Sequence, residues 1–190
     1  NLTKKFGRFT AVNKINLKLQ PGEIYALLGP NGAGKTTTIL MLLGISRPTS
    51  GEIRIFGQSI GELHFGGKQR IGVVAERQSF YPEMTALEYL LFFADMYAVA
   101  SPDARLQELL ERVHLWEWRH SLVGDYSAGM LRKLGVVRGL LHSPEIIILD
   151  EPVSNLDPYG IVEVREILLE ERRRGRTILI SSHILSEVEQ

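Results

Sequence analysis

The sequence predicts an α/β fold: a parallel sheet wound by helices on both faces, with a small helical lobe attached. Three observations carry this expectation. Short apolar runs alternate with helix-compatible segments, several of those runs are apolar throughout, and the middle of the chain turns to helical periodicity with few strand signals. Ile15, Leu17 and Leu19 alternate with polar residues and predict a first strand reaching Gln20. Pro21-Gly22 then turns the chain into a strand over Glu23 to Leu28. A glycine-rich loop leads to a helix over Thr36 to Leu43, and Glu52 to Phe56 and Arg70 to Ala75 read as further strands. Met84 to Val99, Asp103 to Val113 and about Met130 to Leu141 read as helices of the lobe, with Pro102 as a start signal. Ile146 to Leu149 reads as a buried parallel strand, Asp157-Pro158 opens a helix that Gly175 stops, and Thr177 to Ser181 is the last strand.

With 190 residues, 44% of them apolar, the chain can bury one sizeable core and a smaller lobe. Lys plus Arg and Asp plus Glu both total 22, a balance that argues against a general polyanion binder. The absence of cysteine excludes disulfides, thiolate zinc sites and a thiol nucleophile. Ala86 to Ala100, the most apolar long stretch, carries Glu88 and Asp95 and is too short to span a bilayer. Beginning at Asn1 and stopping at Gln190 within a predicted helix, the sequence reads as lacking segments at both ends.

Residues 29–36, Gly-Pro-Asn-Gly-Ala-Gly-Lys-Thr, fit the phosphate-loop (P-loop) pattern G-x-x-x-x-G-K-[ST] without a mismatch. Gly29, Gly32 and Gly34 let the backbone bend so that the N–H groups of the loop after Pro30, those of Asn31 and Ala33 among them, converge on nucleotide phosphates. Lys35 reaches the β- and γ-phosphates as a point charge, and the Thr36 hydroxyl, next to Thr37, can hold Mg²⁺. The apolar run Ile146 to Leu149 ends in Asp150 and Glu151, at the carboxyl end of a strand, where open α/β sheets bind ligands. Asp150 is placed to support Mg²⁺ and Glu151 to polarise an attacking water.

Beyond these, Tyr126-Ser127-Ala128-Gly129-Met130 resembles the signature motif of ATP-binding cassette (ABC) ATPases, Ser154-Asn155-Leu156-Asp157 that family's D-loop, and His183 its switch histidine. The resemblance covers essentially the whole chain. It implies a P-loop NTPase core with a mostly parallel sheet, an N-terminal antiparallel β region and a helical subdomain. Residues 1–81 and 143–190 would form the catalytic core with its β region, and residues 82–142 the helical subdomain, all within one domain. It further implies that ATP with Mg²⁺ is sandwiched between the phosphate loop of one copy and Ser127 and Gly129 of a second nucleotide-binding domain, identical or not. His183 would contact the γ-phosphate, and Phe6 would stack on adenine, with Phe9 as a rival. A transmembrane permease subunit or domain is the implied partner, with the protein peripheral on the cytoplasmic face of the membrane and no nucleic acid involved.

The Tyr-Ser-x-Gly-Met form and the closing Ser-Ser-His-Ile-Leu-Ser-Glu-Val-Glu resemble bacterial export-type cassettes. The alternative is a soluble cassette ATPase acting on ribosomes or nucleic acid. Neither a long coiled coil between the phosphate loop and the signature motif nor a charged linker is visible in the sequence. One position departs from the family pattern. Counting from Ile71-Gly72 or back from Tyr81-Pro82 places Glu76 where a magnesium-sensing glutamine is usual, with Gln78 two residues late. A carboxylate is a good hard-oxygen ligand. It also repels phosphate, and at about 5 Å and an effective dielectric of about 20 each unit-charge term is about 3 kcal/mol. The expectation is that Glu76 keeps the metal-sensing role and makes nucleotide binding more dependent on Mg²⁺.

Overall fold

In the computed structural model, which describes residues 1–183, a four-stranded parallel sheet lies at the centre. Its strands are β3 (Ile24–Leu28), β6 (Ile71–Val74), β7 (Ile146–Asp150) and β8 (Thr177–Ser182), in the order β3-β8-β7-β6. Consecutive side chains of a strand point to opposite faces, so an unbroken apolar run implies burial on both. β7 shows this directly. Ile147 and Leu149 enter a core built with the helices α3 (Ala86–Met96), α4 (Asp103–Arg112), α5 (Ala128–Leu140) and α6 (Pro158–Arg173). Ile148 enters a second core with Ile39 and Met41 of α1 (Lys35–Leu42) and with Leu2, Val12 and Ile55.

The N-terminal antiparallel region is a hairpin of β1 (Leu2–Phe6) and β2 (Phe9–Ile15), paired Phe6 to Phe9 across a Gly7-Arg8 turn in which Gly7 has φ +58°. This corrects the strand expected over Ile15 to Gln20: β2 ends at Ile15, and residues 16–20 pair with no strand among the described residues. Alternation marks an extended backbone with one apolar side; it does not say that a neighbour is there to complete a ladder. The true strands were obscured by register shifts between Leu2 and Lys5, which break the period of two.

The strand expected at Glu52 to Phe56 shrinks to β4 (Arg54–Ile55), which pairs antiparallel with β5 (Gln58–Ser59) outside the central sheet. Phe56 and Gly57 both have positive φ, +52° and +78°, as a tight two-residue hairpin turn requires. The Arg70 guanidinium lies 3.7 Å from the Phe56 ring centroid and covers this bulky residue in its unusual conformation. A short helix α2 (Phe65–Lys68) leads into β6.

α3 starts later than its apolar pattern suggested, because Thr85 and Glu88 form a reciprocal cap: the Thr85 side chain accepts from Glu88 N–H, and the Glu88 carboxylate accepts from Thr85 N–H. α4 and α6 are joined by charge, with Arg105 donating to the buried Glu171 at 2.9 Å. α5 lies directly on β6. A Cβ added to Gly72 would fall 2.2 Å from the Gly139 carbonyl oxygen, and one on Gly139 would fall 2.7 Å from Val74 Cγ2. This contact sets how far the start of α5 stands from the ends of the strands. Gly72→Ala should therefore push α5 off the sheet and destabilise the fold by about 3 kcal/mol, read as a lower urea midpoint; an unchanged midpoint would contradict the packing described.

Candidate functional site

The glycine-rich loop joins the end of β3 to α1. Gly32 and Gly34 take φ of +83° and +92°, left-handed values that side chains disfavour. At Gly34 there is also no room: an added Cβ would lie 2.3 Å from the Ala11 carbonyl oxygen, because β2 crosses the loop here. Gly34 is the N-cap of α1 and offers no side-chain cap, so the free N–H groups of the first turn stay available to an anion. The Thr36 side chain at that end is exposed and Thr37 partly so, whereas Thr38 is buried and donates to Gly34 O at 2.9 Å. Asn31, Gly32 and Ala33 form the exposed crown of the loop.

Lys35 folds back along this loop, its ammonium 2.7 Å from Gly29 O, 3.3 Å from Pro30 O and 3.3 Å from Glu151 Oε1. Both side chains of the ion pair are about nine-tenths buried, at 9% and 10% exposure. Glu151 follows β7 with φ +50°, a conformation costing roughly 1–3 kcal/mol in a residue with a side chain. Its N–H donates to Ser181 Oγ at 3.0 Å, and the same hydroxyl donates to Asp150 Oδ1 in a short bond. Glu151 Oε2 lies 2.8 Å from His183 Nδ1. The ends of β3, β7 and β8 thus bring Lys35, Asp150, Glu151 and His183 together as the motifs implied.

In the loop after β6, Glu76 and Gln78 have different surroundings. Gln78 is committed to α5: its carbonyl oxygen accepts from Arg138 at 2.9 Å, and its amide occupies the space a Cβ on Gly135 would need, 2.1 Å away. Glu76 is exposed and belongs to the same electrostatic neighbourhood as the strand ends. Burial holds the Arg132 guanidinium pKa below its ordinary value, and the charges of Glu76, Asp150 and Glu151 oppose this only in part. Arg132, which no motif singled out, donates to the carbonyls of Ala75 and Glu76 and to Ser154 Oγ. A basic residue in a helix carries no spacing signal of its own, so only its burial reveals it.

A second cluster lies at the start of α5. Ser127 is the N-cap and accepts from Met130 N–H at 3.2 Å. Ser127 and Ala128 are exposed, Gly129 and Met130 half-buried, and a Cβ on Gly129 would meet nothing closer than 3.7 Å. Tyr126 departs from this group. It is buried, its hydroxyl donating to Trp118 O at 2.9 Å, so its ring anchors the motif in the lobe core instead of facing an anion. Asp157 caps α6, accepting from Gly160 N–H at 2.8 Å. Phe6 and Phe9, cross-strand partners at the hairpin tip, share one face and are both exposed; the Lys4 ammonium sits 4.9 Å from the Phe6 ring centroid. A cavity of about 680 Å³ lies elsewhere, between the N-terminal region and the sheet, lined by residues such as Leu17, Leu19 and Ile53, and contains none of these motif residues.

The site is suited to a magnesium nucleotide. Glu151 Oε1 is buried beside the Lys35 ammonium at 3.3 Å but makes no hydrogen bond, so it can still accept from a water or phosphate hydroxyl. Thr36, Asp150 and Glu76 are hard oxygen donors. Among the described residues no group of three or more His, Asp or Glu side chains is placed to cage an ion. Hard oxygens of this kind suit Mg²⁺, which typically takes one or two protein oxygens and completes its shell with phosphate and water.

Comparison with known proteins agrees with this geometry. The family model described as "ABC transporter" matches residues 12–154. The bacitracin transport ATP-binding protein BcrA of Bacillus licheniformis is 47% identical over 191 residues, covering 100% of this chain and 62% of that protein. The Nod factor export ATP-binding protein I of Burkholderia lata is 38% identical over 192 residues, covering 100% of this chain and 63% of that protein. The chain thus spans less than two thirds of these curated relatives. A solved structure described as the ATP binding subunit of an ABC transporter superposes with a TM-score of 0.89 at 31% identity, covering 97% of this chain and 78% of that one.

Burial pushes the Tyr126 phenol up to about 12. The folded state therefore favours the neutral ring: this contribution to stability is complete below the ordinary tyrosine value of about 10 and is lost as pH rises from there toward 12. Tyr126→Phe should cost about 1 kcal/mol at neutral pH through the lost bond to Trp118. It should also flatten the alkaline loss of stability in thermal melts; a melting profile that falls as steeply as wild type would remove Tyr126 as its source.

Proposed function

The chain belongs to the ABC transporter family, and from that premise we propose that it is the ATP-binding and ATP-hydrolysing part of a membrane exporter. The observation that carries this reading is the meeting of Lys35 and Glu151, a phosphate-binding cation and a candidate base, at the carboxyl ends of β3 and β7, which flank β8. ATP seats its β- and γ-phosphates on the N–H groups of residues 31–37, and Lys35 exchanges its carbonyl partners for phosphate oxygens. Release of the Lys35 ammonium frees Glu151, whose carboxylate accepts a proton from the water that attacks the γ-phosphorus as the bond to the leaving ADP oxygen breaks. His183, already 2.8 Å from Glu151, orients that carboxylate and the water. Thr36, Asp150 and Glu76 would hold Mg²⁺, which would neutralise part of the triphosphate charge. Phe6 stacks on adenine.

The exposed start of α5, with Ser127 and Gly129, lacks the crowding that would keep an anion away. In this reading it closes over the nucleotide of a second nucleotide-binding domain, with Asp157 at the junction, and Ser127 serves both as helix cap and as phosphate donor. Residues 82–142 act as a helical subdomain against the catalytic core. Among the described residues no helix is long and apolar enough to cross a membrane. In this reading translocation falls to a transmembrane permease, with this chain peripheral on its cytoplasmic side. The transport and export named for the relatives support this over action on ribosomes or nucleic acid.

Replacing Glu151 by Gln removes the proton acceptor and retains shape. ATP turnover should fall by about 10²–10⁴-fold while ATP stays bound and holds two copies together on a sizing column. Lys35→Ala should instead weaken ATP binding about tenfold or more. Near-normal hydrolysis by the first variant, or unchanged affinity in the second, would overturn the assignment. Glu76→Gln should reduce the dependence of ATP affinity on Mg²⁺, and superimposable Mg²⁺ titrations would remove Glu76 from the metal site.

A further inference from the structure

Arg132 is 8% exposed, one turn into α5 from Ser127. Its Nη1 donates to Ala75 O at 3.0 Å, and its Nη2 to Glu76 O at 2.8 Å and to Ser154 Oγ at 2.6 Å. The Ser154 hydroxyl donates onward to Glu151 O at 3.0 Å, and Ser154 N–H reaches the same carbonyl at 3.2 Å. One planar cation therefore ties together three separate parts of the site: the helix that begins at Ser127, the loop bearing Glu76 and the turn bearing Glu151.

Two features distinguish this from an ordinary buried staple. Glu151 sits in a left-handed conformation, as does Asn155 at φ +63°, so the turn between them depends on outside bonds to hold its shape. The cation is also buried in the field of Glu76, Asp150 and Glu151, where it offsets negative charge that would otherwise oppose a triphosphate. A rigid guanidinium fork can reach three acceptors on different segments at once; a lysine ammonium is a single point on a flexible stem. Because Ser154 accepts from Arg132 and donates to Glu151, the link runs in series, each bond polarising the next.

We propose that Arg132 is a positioning residue, acting through Ser154 to hold the Glu151 turn in register with the Ser127 helix and the Glu76 loop. Movement of either element at nucleotide binding or dimer closure is then passed directly to the hydrolytic carboxylate. The inference rests on the reading of Glu151 as the proton acceptor in ATP hydrolysis.

The test is steady-state hydrolysis of MgATP by the intact protein as wild type, Glu151→Gln, Arg132→Met, Arg132→Lys, Ser154→Ala and the Arg132→Met/Ser154→Ala double variant, with thermal melting of each. Arg132→Met should lower kcat about tenfold or more with KM for MgATP within about threefold, since its bonds avoid the phosphate loop. Arg132→Lys should recover part of the loss. Ser154→Ala should lower kcat without lowering the melting temperature, and the double variant should be no slower than Arg132→Met alone, as links in series require. Should Arg132→Met fail to fold, Ser154→Ala carries the test by itself, and a wild-type kcat in that variant overturns the proposal. A folded Arg132→Met with wild-type kcat, or losses that multiply in the double variant, also overturns it. If Glu151→Gln hydrolyses normally, the reading of Glu151 falls and this inference with it; if Glu151→Gln is inactive and Arg132→Met is not, the inference alone falls.

Discussion

The parallel pairing of β3, β8 and β7 is the constraint on which the site depends. Leu28 is level with Ser182, and Asp150 with Ser181, so the three strands end at one height and deliver their following residues to one place. Lys35 and Glu151 lie far apart in sequence and meet at 3.3 Å because of this register. A slip of one residue would turn every side chain of a strand to the opposite face. It would exchange the two apolar cores and carry Ser181 away from both Asp150 and the Glu151 N–H. Stability and chemistry are therefore specified by the same ladder of hydrogen bonds.

Strain is concentrated where that ladder stops. Gly32, Gly34, Glu151 and Asn155 all take positive φ around the strand ends. The two glycines bear it without steric cost, whereas Glu151 and Asn155 do not, and their turn is held by Ser181, Ser154 and Arg132. The buried Lys35–Glu151 pair adds to this. Two desolvated charges attract strongly only while both remain, so a ligand that draws the lysine away leaves the carboxylate short of a partner. In the proposed reaction a polyanion on the loop and a freed base would thus be coupled through one ammonium group.

The start of α5 has a different character. Ser127 spends its oxygen on the helix cap, and Tyr126 is drawn into the lobe, its phenol held on Trp118 O. What stays outside is a helix N-terminus with a small, open approach at Gly129. The close contact of α5 with β6 through Gly72 and Gly139 fixes where that N-terminus stands relative to the sheet. The helices α3 to α5 and the central sheet are accordingly continuous in their packing, with Val74 and Ile147 in the same core as Leu106 and Leu134.

Much of this was legible in the residues themselves. The pattern from Gly29 to Thr36 specifies a loop because only glycine accepts its angles, and unbroken apolar runs specify strands buried on two faces. Asp150 and Glu151 are legible because a carboxylate at the end of such a run has to emerge at the strand tip. Local signals do not report pairing, however. The alternation from Ile15 to Leu19 marks extended chain without a partner, and the true hairpin from Leu2 to Ile15 is masked by its register shifts. Nor do they report what a polar side chain touches. Gln78 matched the sought residue type and is committed to Arg138, Tyr126 lay within a motif and faces the core, and Arg132 lay within no motif and joins three elements. The sequence alone marked out the candidate groups and the local backbone that carries them, because backbone angles and apolar periodicity are local properties; which of them meet was decided only by the folded chain, because contact between distant residues depends on sheet register and helix packing.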